Sequence, residues 1–319
     1  MDGGGEIRCW EELIPDALEL IFSNLSLQDL LTVVPMVCKS WGKAASGPHI
    51  WQEIDILEWS RQRQHKPDSV DRMLRMLITR SCGSFRKLSV CGLSNDPIFS
   101  FIADHAGSLR NLQVQGSDIS DSIVELVAGR LSNITFLDIS FCEKIGSRAL
   151  EVIGQNCKSL VELWRRRDPT ESDKVCQDDE AHAIATTMPK IKRLNMGYCL
   201  LTTRGVLEIL SKCSELEFLD VTGCWDVELD EAFLKEKCAS LKVRGPHIEC
   251  QVRNLWDGCS DYSDSSGYLA WEYMDDVGDY DAESFDGVWD DDHGLEGLEL
   301  RFYEGLNDAA LGLDWPPSP

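Results

Sequence analysis

The sequence predicts an α/β protein in three parts: a small helical unit, a middle part in which short parallel strands alternate with helices, and a C-terminal tail. Three observations support this prediction. Apolar residues near the N-terminus follow a helical spacing, a leucine pattern recurs through the middle, and most of the negative charge lies in residues 251–319. A chain of 319 residues has the length of about two domains.

The first 50 residues predict a compact helical unit. Its first helix is indicated by apolar residues at positions i, i+3, i+4 and i+7, and by Pro15 and Asp16, which commonly begin helices. These apolar residues are Leu18, Ile21, Phe22 and Leu25. A second apolar pattern runs from Leu30 to Trp41. About 40 residues cannot bury two apolar helix faces well, so we expect this unit to need a partner.

The middle of the chain repeats a segment with an apolar residue, two variable residues and a leucine. The aligned leucines are Leu88, Leu112, Leu137, Leu163, Leu194 and Leu219, spaced by 24, 25, 26, 31 and 25 residues. This is the leucine-rich-repeat pattern, in which a short strand points alternate residues into the core and a helix covers the layer behind it. The sequence therefore predicts a short solenoid of about six or seven repeats over residues 84–250. Residues 57–83 are predicted to be a linker and a capping helix.

The thirteen cysteines are predicted to be reduced. Their number is odd, no export signal precedes them, and the sequence contains no CxxC motif that would indicate a zinc site. Six of them recur in two positions of the repeat: Cys142, Cys199 and Cys224 after the strand, and Cys157, Cys213 and Cys238 at the end of the helix. We interpret them as small buried core residues, and expect no metal and no cofactor. They resemble the cysteine-containing subfamily of leucine-rich repeats, which is intracellular.

The charge distribution separates the tail from the rest. Residues 251–319 contain 18 acidic, two basic and 11 aromatic residues, which is typical of a largely disordered interaction segment. The net charge of −24 argues against nucleic acid or an anionic membrane as a partner. No apolar stretch approaches the length that spans a bilayer. We expect a soluble protein of the nucleus and cytoplasm.

An ordered series of residues in the helical unit resembles the F-box. The series comprises Ile14-Pro15-Asp16, Leu18, Ile21-Phe22, Leu25, Leu30-Leu31, Val37-Cys38-Lys39, Trp41 and Trp51. With residues 9–56 as the F-box and the repeats behind it, the chain resembles the plant F-box/leucine-rich-repeat proteins. The resemblance implies a non-catalytic substrate receptor of a Skp–cullin–F-box ubiquitin ligase. Such a receptor binds the Skp-type adaptor, and through it the cullin, and presents a protein substrate for ubiquitination and proteasomal degradation.

The resemblance also implies which residues lie at or support the adaptor interface. They are Ile14, Pro15, Leu18, Ile21, Phe22, Leu25, Val37, Cys38 and Trp41. Two features depart from the family pattern. Ile14 replaces the usual leucine, and the stretch from Leu31 to Val37 is one residue longer than usual and contains Pro35, which would break or kink a helix. The alternative is that these helices only cap the repeats.

The outward positions of the strands predict a substrate-binding surface on the concave face. The candidate residues are Phe136, Asp138, Trp164, Arg166, Arg193, Asn195, Phe218 and Asp220. Exposed aromatic residues beside arginines have the composition of an interaction hot spot. The alternative is that loops partly cover the aromatic side chains.

The fourth repeat departs from the pattern. Arg165 occupies a position where a core aliphatic residue belongs, and the insertion Asp168–Glu180 follows it. Because a buried charge is costly, we expect this layer to open locally. Alternatively, the acidic insertion folds back and neutralises the arginines.

Three other functions fit the sequence less well than a ligase receptor does. A small-molecule-gated receptor would need a longer solenoid to enclose a pocket. A plain scaffold would use the N-terminal helices only as a cap. An enzyme is disfavoured because the sequence shows no catalytic triad, phosphate-binding loop or metal-ligand cluster.

Overall fold

The computed structural model describes residues 13–27, 29–62, 67–169, 175–229 and 241–246. Within these ranges the chain forms an eight-stranded parallel sheet whose strands follow one another in chain order. The strands are β1 (Glu53–Asp55), β2 (Lys87–Cys91), β3 (Asn111–Gln115), β4 (Phe136–Asp138), β5 (Glu162–Trp164), β6 (Arg193–Asn195), β7 (Phe218–Asp220) and β8 (Lys242–Arg244). The predictions for residues 251–319 and for Cys238 lie outside the described residues.

Helices precede and connect these strands. The N-terminal helices are α1 (Pro15–Phe22), α2 (Val34–Val37) and α3 (Lys39–Ala45), with a π-helix at Asp29–Val33 between α1 and α2. Those that follow are α4 (Leu57–Gln62), α5 (Pro67–Arg80), α6 (Asp96–Asp104), α7 (Asp121–Val127), α8 (Ser147–Asn156), α9 (Asp178–Thr187) and α10 (Thr203–Lys212). Short 3₁₀ turns lie at Ile50–Gln52, Ala106–Ser108 and Ala128–Leu131. The helix predicted before the first full repeat is confirmed as α5.

The strands are held in register by a column of buried side chains. The aligned leucines pair directly across the sheet, from Leu88 with Leu112 to Leu194 with Leu219, as their spacing predicts. The column continues to Val243 in β8 and to Ile54 in β1. Strand β1 was not predicted, because these residues were assigned to the helical unit. The alternation of Glu53, Ile54, Asp55 and Ile56 was the available signal.

The repeated cysteines are buried thiols, as predicted. The Sγ atoms of Cys142, Cys199 and Cys224 donate to the carbonyls of Val114, Arg165 and Met196 in a preceding layer, at 3.1, 3.1 and 3.3 Å. Burial raises the pKa of the Cys142, Cys157 and Cys224 thiols to about 12 and that of Cys213 to about 11. These thiols therefore stay protonated at neutral pH. Their side chains are buried at the bend after a strand or at the end of a helix, positions that recur from layer to layer.

The irregular fourth layer stays closed, so the expectation that it opens is wrong. Arg165 is fully buried, and its Nε donates to Glu180 Oε2 at 3.0 Å. Arg167 Nη2 lies 3.0 Å from Glu180 Oε1. The Arg165 backbone N–H still donates to Asn195 O at 2.7 Å, so β5 and β6 remain paired. Glu180 ends the insertion, and the alternative that the insertion neutralises the arginines is confirmed for Arg165 and Arg167 but not for Arg166.

A polar ladder joins the helix starts of successive layers. Asp96, in the first turn of α6, accepts from the backbone N and Oγ of Ser120 at 2.9 and 2.6 Å. Asp178 in α9 accepts in the same way from Thr202, at 2.9 and 2.6 Å. Asp121 accepts from the backbone N of Gly146 at 2.8 Å. Each carboxylate therefore satisfies the N-cap residue of the next helix and lies favourably at a helix N-terminus.

Replacing Glu180 by alanine is expected to destabilise the fold strongly. The change leaves Arg165 charged, buried and without its carboxylate, a loss that costs about 3–5 kcal/mol. Urea unfolding would measure it. Arg165→Met combined with Glu180→Leu should recover most of the loss, whereas the exposed-pair control Glu217→Ala should move the midpoint little. A Glu180→Ala midpoint as close to wild type as that of the control would contradict this account.

Thiol labelling should divide the cysteines by burial. In the folded protein, Cys82 and Cys176 are exposed and should react within minutes with iodoacetamide, whereas the five buried repeat cysteines should be protected. Peptide mapping by mass spectrometry would assign each site, and labelling in denaturant is the control for complete reaction. Rapid native labelling of Cys142 or Cys199 would show that the layers open.

Candidate protein-binding surfaces

Helix α1 has an apolar side in the core and apolar residues on its outer side. Leu18 and Phe22 are 1% and 0% exposed, and the Phe22 ring packs edge-on against Trp41 at 5.2 Å between centroids. By contrast, Ile14 is 66% and Leu20 72% exposed. The core of the unit is therefore already filled, and further apolar side chains remain in solvent.

The π-helix explains the extra residue between α1 and α3. A π turn closes its hydrogen bonds over one more residue than an α turn, so it accommodates a single-residue insertion without disturbing the flanking turns. Pro35 lies in the first turn of α2, where proline is tolerated best in a helix. The predicted kink thus takes the form of a π-helix followed by one short α turn. Val33, Met36 and Val37 are exposed on it.

The nine predicted adaptor-interface residues separate into three groups. Ile14, Ile21, Leu25 and Val37 are exposed, and Cys38 and Trp41 are half-buried. Leu18 and Phe22 are core residues, so of the two roles expected, at the interface or in support of it, they can fill the supporting one by holding α1 in place. The side chain of Pro15 lies outside the described residues. Sequence reasoning missed Leu20, Val33 and Met36, although an isolated leucine off the apolar stripe of α1 was a usable signal.

The outward face of strands β4 to β7 carries a continuous cluster, which we call the aromatic row. It consists of Phe136, Glu162, Trp164, Arg193 and Phe218. Phe136 and Trp164 pack edge to face with 5.4 Å between centroids, and the Arg193 guanidinium lies 5.3 Å from the Phe218 ring centroid. Glu162 Oε1 joins the two halves, because it accepts from Trp164 Nε1 at 2.9 Å and from Arg193 Nε at 3.2 Å. The row is half-buried to exposed, so it can contact a partner.

Asp138 and Asp220 are not part of this accessible surface, which corrects their assignment as substrate-binding residues. They are 0% and 7% exposed. Each accepts from the backbone N–H two residues later, and Asn195 does the same for Gly197 at 3.0 Å. The second oxygen of Asp138 accepts from Gln115 Nε2 at 2.6 Å. Burial raises the pKa of the Asp138 carboxyl, and the carboxylates shape the bends that end their strands.

Arg166 lies between two rings beyond the end of β5. Its guanidinium carbon is 5.9 Å from the ring centroids of both Phe141 and Tyr198. We call these three residues the arginine cage. Arg166 was predicted from its outward strand position, but the two rings were not, because they lie in loops of the neighbouring layers.

The comparisons with known proteins identify the N-terminal unit. The F-box-like family matches residues 12–57. F-box protein FBW2 of Arabidopsis thaliana is 52% identical over 326 residues, covering 100% of both chains. The chain is a plant F-box protein. F-box protein SKIP1 of the same plant is 32% identical over 67% of this chain and 79% of its own length. Putative F-box/LRR-repeat protein 23, also from Arabidopsis thaliana, is 29% identical over 73% of this chain and 52% of its own length.

Membership gives the F-box surface a general role. F-box proteins generally act as substrate receptors of Skp–cullin–F-box ligases, and an F-box implies binding to a Skp-type adaptor. They are typically non-catalytic subunits. Within the described residues, no group of three or more His, Cys, Asp or Glu side chains is placed to hold a metal ion. No described helix has the length and apolar character needed to cross a membrane.

The division between core and surface in the F-box predicts opposite effects of two substitutions. Phe22→Ala should destabilise the protein by about 3–5 kcal/mol, because it removes a fully buried ring. Met36→Ala should leave stability nearly unchanged, since Met36 is 70% exposed. Thermal unfolding of both variants would check this. Equal losses would show that Met36 packs inside the unit.

Proposed function

We propose that this F-box protein is the substrate-recognition subunit of a Skp–cullin–F-box ubiquitin ligase and binds the adaptor through an apolar docking surface on its first helices. This surface consists of Ile14, Leu20, Ile21, Leu25, Val33, Met36 and Val37. One observation carries the proposal: seven of the twelve exposed large apolar side chains in the described residues lie within this short stretch. A concentrated apolar patch on a unit with a complete core is typical of an interface.

The repeat architecture forms the second part of the proposal. We infer that β2 to β8 and their helices form a solenoid of about six or seven leucine-rich repeats. The direct pairing of the aligned leucines supports this, as does the recurrence of buried cysteines at equivalent bends. A solenoid presents one outward row of side chains per strand position, and that arrangement suits an extended partner.

The aromatic row is the proposed substrate-binding surface. Its rings and its arginine lie on four adjacent strands, and they combine large contact area with charge. The chain would supply no chemistry of its own. It would hold the substrate near the ubiquitin-charged subunits and so raise the effective concentration of a substrate lysine, leading to ubiquitination and proteasomal degradation. We propose that it acts in the nucleus and cytoplasm.

Adaptor binding tests the proposal directly. The double variant Leu20→Ser/Met36→Ser should lose co-purification with a Skp-type adaptor, because it places two hydroxyls in an apolar interface. Both side chains are exposed, so the melting temperature should stay close to wild type. Pull-down from co-expression measures the binding, and thermal unfolding checks the fold.

The matched control is Leu126→Ser on α7, which changes an equally exposed leucine outside the F-box. This variant should bind the adaptor normally. If folded wild-type protein does not bind the adaptor, the ligase assignment is wrong, and the N-terminal helices serve as a cap on a scaffold.

A further inference from the structure

We propose that the arginine cage binds one carboxylate of the substrate, and that Phe136 and Trp164 bind an apolar side chain two residues away from it. The substrate segment would be extended and would contain an aromatic or aliphatic residue, any residue, and then Asp or Glu, in either direction. The inference rests on the proposed function, because it names the chemistry of what the receptor recognises.

The backbone is strained at Phe141 and Tyr198, the two aromatic residues of the cage. Phe141 and Tyr198 both have φ of 62°, a conformation that is unfavourable for residues with a side chain. The equivalent positions, four residues after the central leucine, are Gly92, Gly116 and Gly223 in other layers, and these glycines have positive φ as well. In two layers, therefore, an aromatic residue adopts a strained backbone conformation that glycine would adopt without strain. Both aromatic rings lie near Arg166. Strain of this kind is concentrated at ligand-binding sites.

The absence of a side chain at Gly223 provides the space for the Tyr198 ring of the cage. A methyl group built on Gly223 would lie 2.4 Å from the Tyr198 ring, so any other residue there would displace that ring. A methyl group on Gly197 would be closest to Asn195 Oδ1, at 3.3 Å, and would be in ordinary van der Waals contact with Arg166 Nε, at 3.6 Å. The position of the Tyr198 ring, which forms one side of the cage, therefore depends on the glycine in the next layer.

Of the three consecutive arginines in this layer, Arg166 is the one that forms no ion pair with a described residue. Arg165 and Arg167 both pair with Glu180, and Asp138 accepts from Gln115 and from the backbone of Ser140. Arg166 is partly accessible, and no acceptor among the described residues receives a hydrogen bond from its guanidinium. Rings at the sides of a guanidinium leave its N–H edge available for a bidentate bond to a carboxylate. The single guanidinium of Arg166 matches a partner with a single negative charge. A phosphate group would usually need more than one cation.

The two-residue spacing proposed for the substrate follows from the extended backbone between Trp164 and Arg166. Trp164 and Arg166 are two residues apart, so their side chains lie on one face about 7 Å apart. The chain remains extended here, because Phe141 N donates to Arg166 O at 2.9 Å and Arg167 N donates to Gly197 O at 3.0 Å. An extended peptide repeats at the same distance, so alternate side chains can reach the Phe136–Trp164 pair and the cage together.

Selection from a display library of random 12-residue peptides, with the full chain as bait, tests the proposal. Enriched peptides should place Asp or Glu two residues from an aromatic or aliphatic residue. Arg166→Gln should weaken their binding at least tenfold, the order expected when a charge-assisted bidentate bond is lost. Lys87→Gln, which removes one positive charge from β2 on the same face, should leave binding unchanged.

A peptide with its acidic residue changed to the amide provides a second measurement that leaves the protein intact. It should bind wild type at least tenfold more weakly, and Arg166→Gln should cause no further loss, since both changes remove the same bond. The proposal is overturned if no acidic pattern is enriched, if the two losses simply multiply, or if phosphoserine peptides bind and their carboxylate counterparts do not.

Adaptor co-purification separates this result from the proposed function. Arg166→Gln should retain the adaptor, because the cage and the apolar docking surface share no residue. An adaptor-binding protein that selects no acidic peptide would disprove the cage inference alone. A protein that selects the peptides but binds no adaptor would disprove the ligase assignment alone.

Discussion

The fold depends on the stacking of one inward apolar side chain per layer, buried in every layer from β1 to β7 and half-buried in β8. Each strand has only three to five residues, so few hydrogen bonds hold it in place, and the column from Ile54 to Val243 determines its register. A shift of one residue would turn an inward leucine to solvent and an outward charge into the core. The same constraint aligns the outward residues. Phe136, Glu162, Arg193 and Phe218 form a row because the leucines beside them pair directly.

The fourth layer shows how a charge can occupy the core without loss of register. Arg165 lies in the position that Met196 and Val221 fill in the following layers, and Glu180 compensates its charge from the start of α9. The longer spacing of this repeat provides the segment that brings Glu180 back over the arginine. Arg167 shares the same carboxylate, which leaves Arg166, pointing to the other face, as the cation available to a partner.

Periodic features were predictable from the sequence and contact-dependent ones were not. The leucine recurs in all six aligned segments, and cysteine recurs at each of two positions in three of the layers, so the pattern could be read without coordinates. The burial of Asp138 and Asp220 depends on turns that form within each layer, and an outward strand position alone does not reveal it. The cage depends on residues about 25 and 32 positions away from Arg166 in the chain, which no local pattern connects.

Strand β1 gives the two proposed binding surfaces a fixed connection. It lies within residues 12–57, which match the F-box-like family, yet it pairs with β2 as the first strand of the sheet. The pairing is extended on both sides, where Arg86 N donates to Gln52 O at 2.7 Å and Ile56 N donates to Ser89 O at 2.9 Å. Trp51 is buried beside this strand, and the Arg80 guanidinium from α5 lies 5.6 Å from its ring centroid. Because the two parts share a sheet, a substrate held on the aromatic row would keep a constant distance from a bound adaptor. Such preorganisation reduces the entropy lost when a substrate lysine is brought to the reacting group.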